Sequence, residues 1–243
     1  MNKRLRIGTW NVEYARSASA NARRRAVMRR YPADIWVLTE THDALKPCGS
    51  FRAVHSSQRK YHGKLVGRIR LGSRWVSIWT RFTQVRRLRV RSADTSRTVV
   101  AHIVTPIGPL VIYGTVMPWR GDTERKIDTA IENQVRDWRY LRDRHRRVPL
   151  CVAGDFNTTM ISGADYLTKK AFETLCDAMR DERLFCATGP DRLSASALSG
   201  RPIDHIVLPS AWLSRSRVVA AWEGKVGTPR LSDHSGLVVE IRA

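Results

Sequence analysis

Val152-Ala153-Gly154-Asp155-Phe156-Asn157 is the stretch that decides the fold, because it ends an apolar run in a carboxylate and a carboxamide. Residues 150–153 have the character of a buried strand. Gly154 then lets the chain turn, so that Asp155 and Asn157, two residues apart, point the same way. The segment predicts a buried strand that presents a base and its orienting partner at its end.

Four further segments repeat this pattern of an apolar strand that ends in an ionisable or amide side chain. They are residues 7–13, 35–40, 202–207 and 231–238, which contain Asn11, Glu13, Glu40, Asp204, Asp233 and His234. Because strand ends converge in folded sheets, these groups are expected to meet at one edge. Carboxylates gathered there would repel one another unless a cation or a bound proton balanced their charge. The pattern therefore predicts a site for a hard metal ion.

The chain of 243 residues carries 43 Lys plus Arg against 22 Asp plus Glu, a net charge of +21. A genome rich in G and C would explain why Arg outnumbers Lys, but not why bases outnumber acids. Basic clusters at residues 23–25, 29–30, 86–91 and 142–147 are spread over the chain, which favours a folded basic face over a disordered arm. An even basic surface also serves solubility, but nucleic acid, and DNA above all, is the expected partner.

Length and composition indicate one globular domain over residues 1–243. Hydrophobic residues make up 42% and charged residues 27%, which excludes a largely disordered chain. The four cysteines have no CxxC spacing and are expected to be reduced thiols of an intracellular, cytoplasmic protein. No apolar run is long enough to span a membrane, and residues 1–4 lead directly into a strand, so neither a membrane segment nor a cleavable signal is expected. No obligate protein partner is inferred.

Hydrophobic periodicity and turn residues predict a strand-rich chain with three helices. The strands are expected at residues 5–10, 35–39, 65–71, 75–80, 98–104, 110–115, 149–153, 203–208, 216–220 and 236–241. The helices are expected at residues 18–30, 124–144 and 169–179, the second of them capped by Thr123. Strands that outnumber and separate the helices suggest sheets packed face to face, with helices outside.

Five short motifs follow one another along the chain. They are Trp10-Asn11-Val12-Glu13, Thr39-Glu40-Thr41, Gly154-Asp155-Phe156-Asn157, Ile203-Asp204-His205 and Ser232-Asp233-His234. Each is weak alone, but in this order they resemble the motifs of the endonuclease/exonuclease/phosphatase superfamily, which includes DNase I-like nucleases, apurinic endonucleases, sphingomyelinases and inositol polyphosphate 5-phosphatases. The resemblance implies an α/β (α+β) fold, a four-layer α/β sandwich with two central, mostly antiparallel β-sheets flanked by helices. It places the site at one rim.

The segment from Tyr113 to Trp119 departs from that superfamily. Apurinic endonucleases carry a Tyr two residues before the proline that corresponds to Pro118, and other branches place a His nearby, whereas this chain has Thr115 and Val116 there. The phosphate-contacting donor is therefore either missing or replaced by the Thr115 hydroxyl, and the resemblance does not carry over a specificity for apurinic sites. Weaker candidates for substrate binding are Trp119, which could stack on a base, and Arg120, which could contact the backbone.

Carboxylates supply the expected metal site. Glu40 is the first choice of ligand, with Glu13 and Asp233 as helpers, because carboxylate oxygens and retained waters are the ligands that Mg²⁺ and Mn²⁺ prefer. Mg²⁺ is the expected physiological ion, and Mn²⁺ is the expected substitute. Bound there, the ion would neutralise charge on a phosphoryl group.

The remaining motif residues have side chains that can serve in acid–base catalysis of phosphodiester hydrolysis. Asp155 is the expected base that takes a proton from the attacking water, with Asn157 donating a hydrogen bond to a phosphate oxygen or to Asp155. Asn11 can fix a carboxylate and touch metal-bound water or phosphate, or it can simply cap the turn after its strand. His234 is expected to contact the scissile phosphate while Asp204 accepts its other ring N–H.

Other histidines and nucleophiles are expected to play no direct part. Strand alternation sends His205 away from Asp204, and His102 lies inside a strand, so both are interpreted as structural. Neither Ser nor Cys lies in a recognisable nucleophile motif such as GxSxG, which favours direct in-line attack by water.

The leading hypothesis is a Mg²⁺-dependent phosphodiesterase, above all a nuclease that hydrolyses DNA. The alternative keeps the chemistry but acts on a small phosphorylated substrate, such as an inositol phosphate, a nucleotide or a lipid head group. A third hypothesis is a catalytically silent nucleic-acid-binding module. The residues do not separate endonucleolytic from exonucleolytic action, or DNA from RNA.

Overall fold

A computed structural model describes residues 3–15, 17–58, 71–90, 95–122, 126–161, 166–194, 198–225 and 230–243. Among the sequence expectations, the strand at 65–71 (apart from Leu71) and the helix cap at Thr123 lie outside these residues. All other expected strands and all three expected helices are present.

The structure contains twelve strands and three α-helices in the described residues. The helices are α1 (Ala18–Arg30), α2 (Ile127–Arg144) and α3 (Lys169–Asp181). The strands are β1 (Arg4–Asn11), β2 (Ile35–His42), β3 (Arg52–His55), β4 (Ser73–Thr80), β5 (Val85–Leu88), β6 (Thr98–Thr105), β7 (Gly108–Val116), β8 (Leu150–Asp155), β9 (Leu184–Cys186), β10 (Asp204–Pro209), β11 (Ser216–Trp222) and β12 (Gly236–Arg242).

The strands form two sheets of six. The first sheet has the order β11-β12-β1-β2-β4-β3, and the second has the order β5-β6-β7-β8-β10-β9. Only β1 with β2 and β7 with β8 pair in parallel, and the other neighbours within each sheet are antiparallel. The prediction of two mostly antiparallel sheets is confirmed.

Side-chain alternation divides the core into three layers. On β1, Leu5 and Ile7 point between the sheets and join the apolar cluster that both sheets share. Trp10, on the other face of β1, packs under α1 with Met28. On the second sheet, the outward residues pack against α2 and α3. Because each sheet buries one face against its partner and the other against helices, the architecture is a four-layer sandwich.

The helices follow the apolar patterns in their sequences. Ser17 caps α1 by accepting a hydrogen bond from the Ala20 backbone N–H, and Thr168 caps α3 in the same way with Ala171. Helix α2 begins at Ile127, three residues later than expected, and buries the stripe of Ile131, Val135, Trp138 and Leu141. No helix in the described segments is long and apolar enough to cross a membrane.

Three strands were not predicted from the sequence, and all three lie at sheet edges. They are β3, β5 and β9, with four, four and three residues. An edge strand pairs on one side only and has few buried positions, so short edge strands leave a weak alternation signal. The better-predicted strands β1, β2, β7 and β8 occupy the interiors of the sheets.

Candidate active site

The end of β8 presents Asp155 through a close approach of two strands. Gly154 has a φ of 136°, and a side chain there would collide with the backbone carbonyl of Thr115 on β7. Glycine is therefore required both by the backbone conformation and by the space. Asp155 follows as the last residue of the strand, with only 2% of its surface exposed.

Two hydrogen-bond donors fix the Asp155 carboxylate. The Asn157 backbone N–H donates to Oδ1 at 2.9 Å, and Asn11 Nδ2 donates to Oδ2 at 3.2 Å. Asn157 adopts a left-handed φ of 50°, and its side-chain amide donates to the Met117 carbonyl at 2.8 Å. The amide of Asn157 is thus used to hold the turn against β7, while its backbone holds Asp155.

Asn11 both caps the turn after its strand and fixes a carboxylate, while its contact with metal-bound water or phosphate stays a prediction. Its Oδ1 accepts a hydrogen bond from the Glu13 backbone N–H at 3.0 Å, which caps the turn after β1. Its Nδ2 reaches across to Asp155 in the other sheet. Asn11 therefore ties the two sheets together at the rim.

Asp204 and His234 form a close pair beside Asp155. Asp204 opens β10 and stands directly opposite Asp155 on β8 in the antiparallel register. His234 Nδ1 lies 2.6 Å from Asp204 Oδ2, within hydrogen-bonding distance. Ligand atoms of Asp155, Asp204 and His234 all lie within 4.8 Å of one another. Sheet register thus brings residues 49 and 79 positions from Asp155 to one point.

Burial and mutual charge set the protonation of this group. Burial, followed by the charge of Asp204, raises the pKa of Asp155 to about 7, against the lowering effect of His234 and the two hydrogen-bond donors. Burial also raises the pKa of Asp204. Burial by itself lowers the pKa of His234, but the charge and hydrogen bond of Asp204, with Asp155 adding to them, raise it to about 10. His234 is therefore the cation of the group at neutral pH.

Two further acidic motif residues, Asp233 and Glu40, act electrostatically on this group. The charges of Asp233 and Glu40 both raise the pKa of Asp204, so they act on the same site. Glu13 is engaged elsewhere, since Arg230 donates to its two carboxylate oxygens at 2.6 and 3.3 Å. Arg230 also lies 3.8 Å from Asp233. Sequence reasoning did not identify Arg230.

A divalent cation fits these donors. Carboxylate oxygens are the ligands of hard cations, and several carboxylates concentrated at one rim are stabilised by such a cation. Asp155, Asp204 and His234 present ligand atoms close enough together to hold such an ion, and the charges of Asp233 and Glu40 act on Asp204 beside them.

A buried arginine on α1 links the two loops that carry the motifs. Arg24, 5% exposed, donates from Nη2 and Nε to the Leu231 carbonyl at 2.6 and 3.1 Å. Its Nη1 donates to Asn21, whose side-chain amide donates to the Ala15 carbonyl at 2.6 Å. Glu13, Tyr14 and Ala15 all have left-handed φ values, so the loop that Asn21 holds is conformationally demanding.

Two further hydrogen bonds join these loops directly. Ser232 Oγ donates to the Asn11 carbonyl at 2.6 Å, and Trp10 Nε1 donates to the His234 carbonyl at 3.2 Å. The backbone N–H of His234 in turn donates to Ser232 Oγ. The serine of the last motif thus positions His234 relative to Asn11.

The three weaker candidates lie in different surroundings. Thr115 is fully buried and its hydroxyl donates to Gln134 of α2 at 2.7 Å, which argues against the expected phosphate contact. Trp119 is half-buried, with its ring centroid 5.0 Å from the Arg97 guanidinium. Arg120 is exposed and donates to the Leu167 carbonyl.

His205 points away from the acidic group. Its Nε2 lies 2.8 Å from the Thr158 carbonyl and its Nδ1 lies 3.1 Å from the Thr188 hydroxyl. The ring is fully buried and packs edge-on against Phe156. This placement agrees with the alternation argument that made His205 structural.

A family model described as "Endonuclease/Exonuclease/phosphatase family" matches residues 8–234. The chain belongs to this family. As a member it is an enzyme that hydrolyses phosphoester bonds, and the family depends on divalent metal ions. The matched residues include every motif from Asn11 to His234. No curated protein sequence matches the chain.

Solved structures of other proteins share the fold of this family member. The AP endonuclease LMAP from Leishmania major has a TM-score of 0.71 at 15% identity, over 99% of this chain and 88% of that one. The 3' phosphatase NExo from Neisseria, bound to a product DNA hairpin, has a TM-score of 0.65 at 18% identity, over 98% of this chain and 99% of that one. The catalytic domain of human Nocturnin, with bound sulfate, has a TM-score of 0.69 at 15% identity, over 99% of this chain and 94% of that one.

Proposed function

We propose that this enzyme is a Mg²⁺-dependent nuclease that hydrolyses DNA by direct in-line attack of water. The observation that carries the proposal is the buried Asp155, held by two donors beside the Asp204–His234 pair. A base and a cation are thus fixed within reach of a common phosphate. The negative charge of a phosphodiester requires this combination, because an anionic group repels an anionic nucleophile.

Asp155 is proposed as the base. Asn11 and the Asn157 backbone each occupy one carboxylate oxygen, so the orientation of the group is set before substrate arrives. Each carboxylate oxygen has a second lone pair, which leaves acceptor capacity for a water molecule. A pKa of about 7 in the absence of metal places Asp155 close to the optimum for taking a proton at neutral pH.

His234 is proposed to contact the scissile phosphate through Nε2. Asp204 holds Nδ1, and the raised pKa of His234 keeps the ring charged. A charged ring can donate a hydrogen bond to a phosphoryl oxygen and stabilise the charge that develops on it. Asp204 acts through His234 and is a positioning residue in this proposal.

Glu40 and Asp233 are proposed to hold the metal, with Mg²⁺ as the physiological ion and Mn²⁺ as a substitute. The ion, when bound, supplies Lewis-acid stabilisation of phosphoryl charge. Glu13 is proposed to act mainly through Arg230, which it holds in a two-point contact beside Asp233. Arg230 then adds a positive charge to the rim.

DNA is the proposed substrate because the charge of the protein and its structural relatives both favour it. The net charge of +21 suits a polyphosphate. Among the structural relatives, one is an AP endonuclease and another is bound to a DNA hairpin.

The four cysteines are free thiols, which supports a cytoplasmic location.

A small phosphorylated substrate is the second candidate. It is favoured by the burial of Thr115, because the hydroxyl expected to contact a DNA phosphate faces Gln134. Under this candidate the same base and cation would act on a nucleotide, an inositol phosphate or a lipid head group. Phosphate release over a panel of these compounds separates the two candidates.

The direct test is product analysis with end-labelled double-stranded, single-stranded and abasic DNA, with Mg²⁺ or with EDTA. We expect Mg²⁺-dependent cleavage that Asp155→Asn abolishes. Mg²⁺-dependent cleavage that the purified Asp155→Asn protein retains would show that Asp155 is not the base. DNA that stays intact while the panel releases phosphate would favour the second candidate. If the enzyme binds DNA tightly but cleaves nothing in either assay, it is a silent binding module.

A further inference from the structure

Glu240 on β12 is a buried carboxylate surrounded by four arginines. Its side chain is 3% exposed, and Arg6 Nε and Nη2 both lie 3.0 Å from Oε2. Arg217 Nη2 lies 3.1 Å from Oε1, and Arg242 Nε lies 3.5 Å from the same oxygen. Arg4 Nη1 lies 3.8 Å from Oε2. We refer to Arg4, Arg6, Arg217 and Arg242 as the arginine plate.

Sheet register creates the plate. Arg6 on β1 and Arg217 on β11 both stand opposite Glu240, which lies between them on β12. Arg4 stands opposite Arg242 one step further along the same pair of strands. These positions alternate with Leu5 and Ile241, which point between the sheets, so the plate lies on the outer face of the first sheet.

The plate lies far from the catalytic rim. Arg4 precedes Asn11 on the same strand by seven residues, which corresponds to roughly 23 Å at the usual strand rise. The part of this face nearer the rim is covered by α1, through Trp10 and Val238. At the plate, by contrast, the side chains of Arg4, Arg217 and Arg242 are 63%, 62% and 58% exposed.

The charge of the plate exceeds what Glu240 requires. Arg6 alone makes a close contact with the carboxylate through two nitrogens, and the contacts with Arg6 and Arg217 together lower the Glu240 pKa against the effect of burial. Four guanidiniums thus share one carboxylate. Neighbouring like charges cost free energy, so the fold itself gains little from Arg4 and Arg242, which lie at 3.8 and 3.5 Å from the carboxylate. An anionic ligand would remove that cost.

The geometry also favours phosphate. Each guanidinium has five N–H donors in a planar fork, and the contacts with Glu240 use only one or two of them. The hydrogen bond to Glu240 limits the motion of the Arg217 guanidinium, while Arg4 and Arg242 lie at ion-pair distances of 3.8 and 3.5 Å from the same carboxylate. Arginines held in this way lose less conformational entropy when they bind a phosphate oxygen pair.

We propose that the arginine plate is a second, non-catalytic binding surface for the phosphodiester backbone of nucleic acid. The proposal rests on the proposed function, since it assumes that nucleic acid is the substrate. The plate holds a segment of polyanion on the flank of the first sheet, outside the catalytic rim. It raises affinity for long substrates and leaves the chemical step unchanged.

The experiment replaces the three exposed arginines together, as Arg4→Gln, Arg217→Gln and Arg242→Gln, and keeps the Arg6–Glu240 pair. Binding to a duplex of about 30 base pairs is measured by fluorescence anisotropy between about 50 and 200 mM salt, in an Asp155→Asn background. A matched control replaces Arg30, Arg52 and Arg136, which are exposed residues outside the plate, so both proteins lose the same net charge.

We expect the plate variant to lower the slope of log affinity against log salt by about 2 to 3 units, and the control by less than about 1. In the protein with Asp155 intact, kcat on saturating short duplex should stay unchanged. Equal slope changes in the two variants, or none in the plate variant, would overturn the proposal. If the plate variant fails to fold by circular dichroism, the double variant Arg4→Gln with Arg242→Gln is used, with an expected loss of about 2 units.

Anionic lipid is the competing ligand for the plate, and vesicles containing phosphatidylserine test it. Loss of vesicle binding with unchanged DNA binding in the plate variant would overturn the proposal in favour of a lipid surface. The DNA-binding assay needs no turnover, so it stays informative if the active enzyme cleaves no DNA. In that case the proposed function fails, while a reduced slope still supports the plate.

Discussion

Asp155 and Asp204 are direct partners across β8 and β10, and both are almost fully buried. Two carboxylates in this position destabilise one another unless His234, a metal ion or a proton compensates. The antiparallel register fixes this relationship, and the hydrogen bonds of Asn11 and Asn157 make Asp155 the better-oriented of the two. His234, charged at neutral pH, offsets part of this repulsion, and the pKa of Asp155 is still raised to about 7.

The first prediction concerns stability. The folded-state pKa of Asp155 is raised from 3.8 to about 7, so the folded metal-free protein binds more protons than the unfolded chain in this interval. The contribution of Asp155 to the free energy of unfolding therefore falls as pH rises from 3.8 to about 7. Asp155→Asn removes this pH-dependent loss. The free energy of unfolding of the variant should therefore exceed that of the parent protein by on the order of 1 to 4 kcal/mol at pH values above 7.

Urea unfolding in EDTA at several pH values measures this difference. Asp143→Asn, at an exposed position on α2, is the control and should show no pH-dependent gain. A difference between Asp155→Asn and the parent protein that stays constant from acid to alkaline pH would contradict the raised pKa of Asp155.

The second prediction concerns Asp204 as the partner of His234. Asp204→Asn removes the main group that raises the His234 pKa, so the pKa should fall from about 10, although Asp155 and Asp233 still raise it against burial. The charged fraction of the His234 ring at neutral pH should then fall, and kcat with it, by about 100-fold or more. NMR titration of the histidine ring protons in the metal-free protein measures the pKa directly.

His102 serves as an internal reference for that titration. It lies on β6, and its pKa is lowered by burial and by Arg86, neither of which Asp204→Asn alters. A His234 resonance that titrates as in the parent protein would show that Asp204 does not control its charge.

The third prediction concerns Arg24 as a positioning residue. Arg24→Lys keeps the positive charge but cannot make both hydrogen bonds to the Leu231 carbonyl together with the one to Asn21. Loosening of the two loops should lower kcat by about 10- to 100-fold with little change in KM, because the groups that act in the transition state lose their alignment. Arg23→Lys, on the same helix, should change neither.

Chemical rescue distinguishes positioning from stability. Arg24→Ala leaves a space for a guanidinium ion, and added guanidinium at concentrations too low to unfold the protein should restore part of kcat. If kcat of the folded Arg24→Ala protein ignores guanidinium, and Arg24→Lys is fully active, then Arg24 has only a structural role.

The sequence allowed the strand ends to be predicted because each motif is local. Asn11, Asp155 and Asp204 each follow or begin a run of apolar residues, and the sheets bring those ends together. The contact between Arg24 and Leu231 joins residues 207 positions apart, and neither has a local pattern that reveals it. Contacts of this kind depend on how a helix packs against its sheet. No local pattern in a single sequence specifies that packing.

The orientation of Thr115 follows from strand alternation rather than from its position along the chain. Tyr113 and Thr115 share one face of β7, and both hydroxyls donate to side chains of α2, Asp137 and Gln134. The expectation for Thr115 came from its distance to Pro118 along the chain and ignored the face of the strand. The strand period of two predicts the helix-facing side correctly.

The fourth prediction concerns the loss of stability caused by a side chain at Gly154, the residue before Asp155. Gly154→Ala places a methyl group against the Thr115 carbonyl and also forces a non-glycine residue to a φ of 136°. Gly108 has a similar φ of 112° with open space around it, so Gly108→Ala carries the backbone penalty alone. We expect about 1 kcal/mol of destabilisation for Gly108→Ala and about 3 kcal/mol or more for Gly154→Ala.

Thermal unfolding with matched buffers compares the two glycine variants. The activity of Gly154→Ala should also fall at temperatures where it remains folded, because Asp155 is the next residue along the strand. Equal losses of stability in the two variants would mean that β7 and β8 separate easily, and that the close approach does not hold Asp155 in place.

The fifth prediction distinguishes the carboxylates that hold the metal. The charges of Glu40 and Asp233 both act on Asp204, and the charge of Glu13 is compensated by two hydrogen bonds from Arg230. Glu40→Gln should therefore weaken Mg²⁺ or Mn²⁺ binding by about 10- to 100-fold, and Glu13→Gln by no more than about 3-fold. Isothermal titration calorimetry on the metal-free protein measures both affinities without turnover. Glu173→Gln, on the exposed face of α3, controls for the loss of one negative charge. A larger effect from Glu13→Gln than from Glu40→Gln would mean that Arg230 leaves Glu13 when the ion binds, and that Glu13 is a direct ligand.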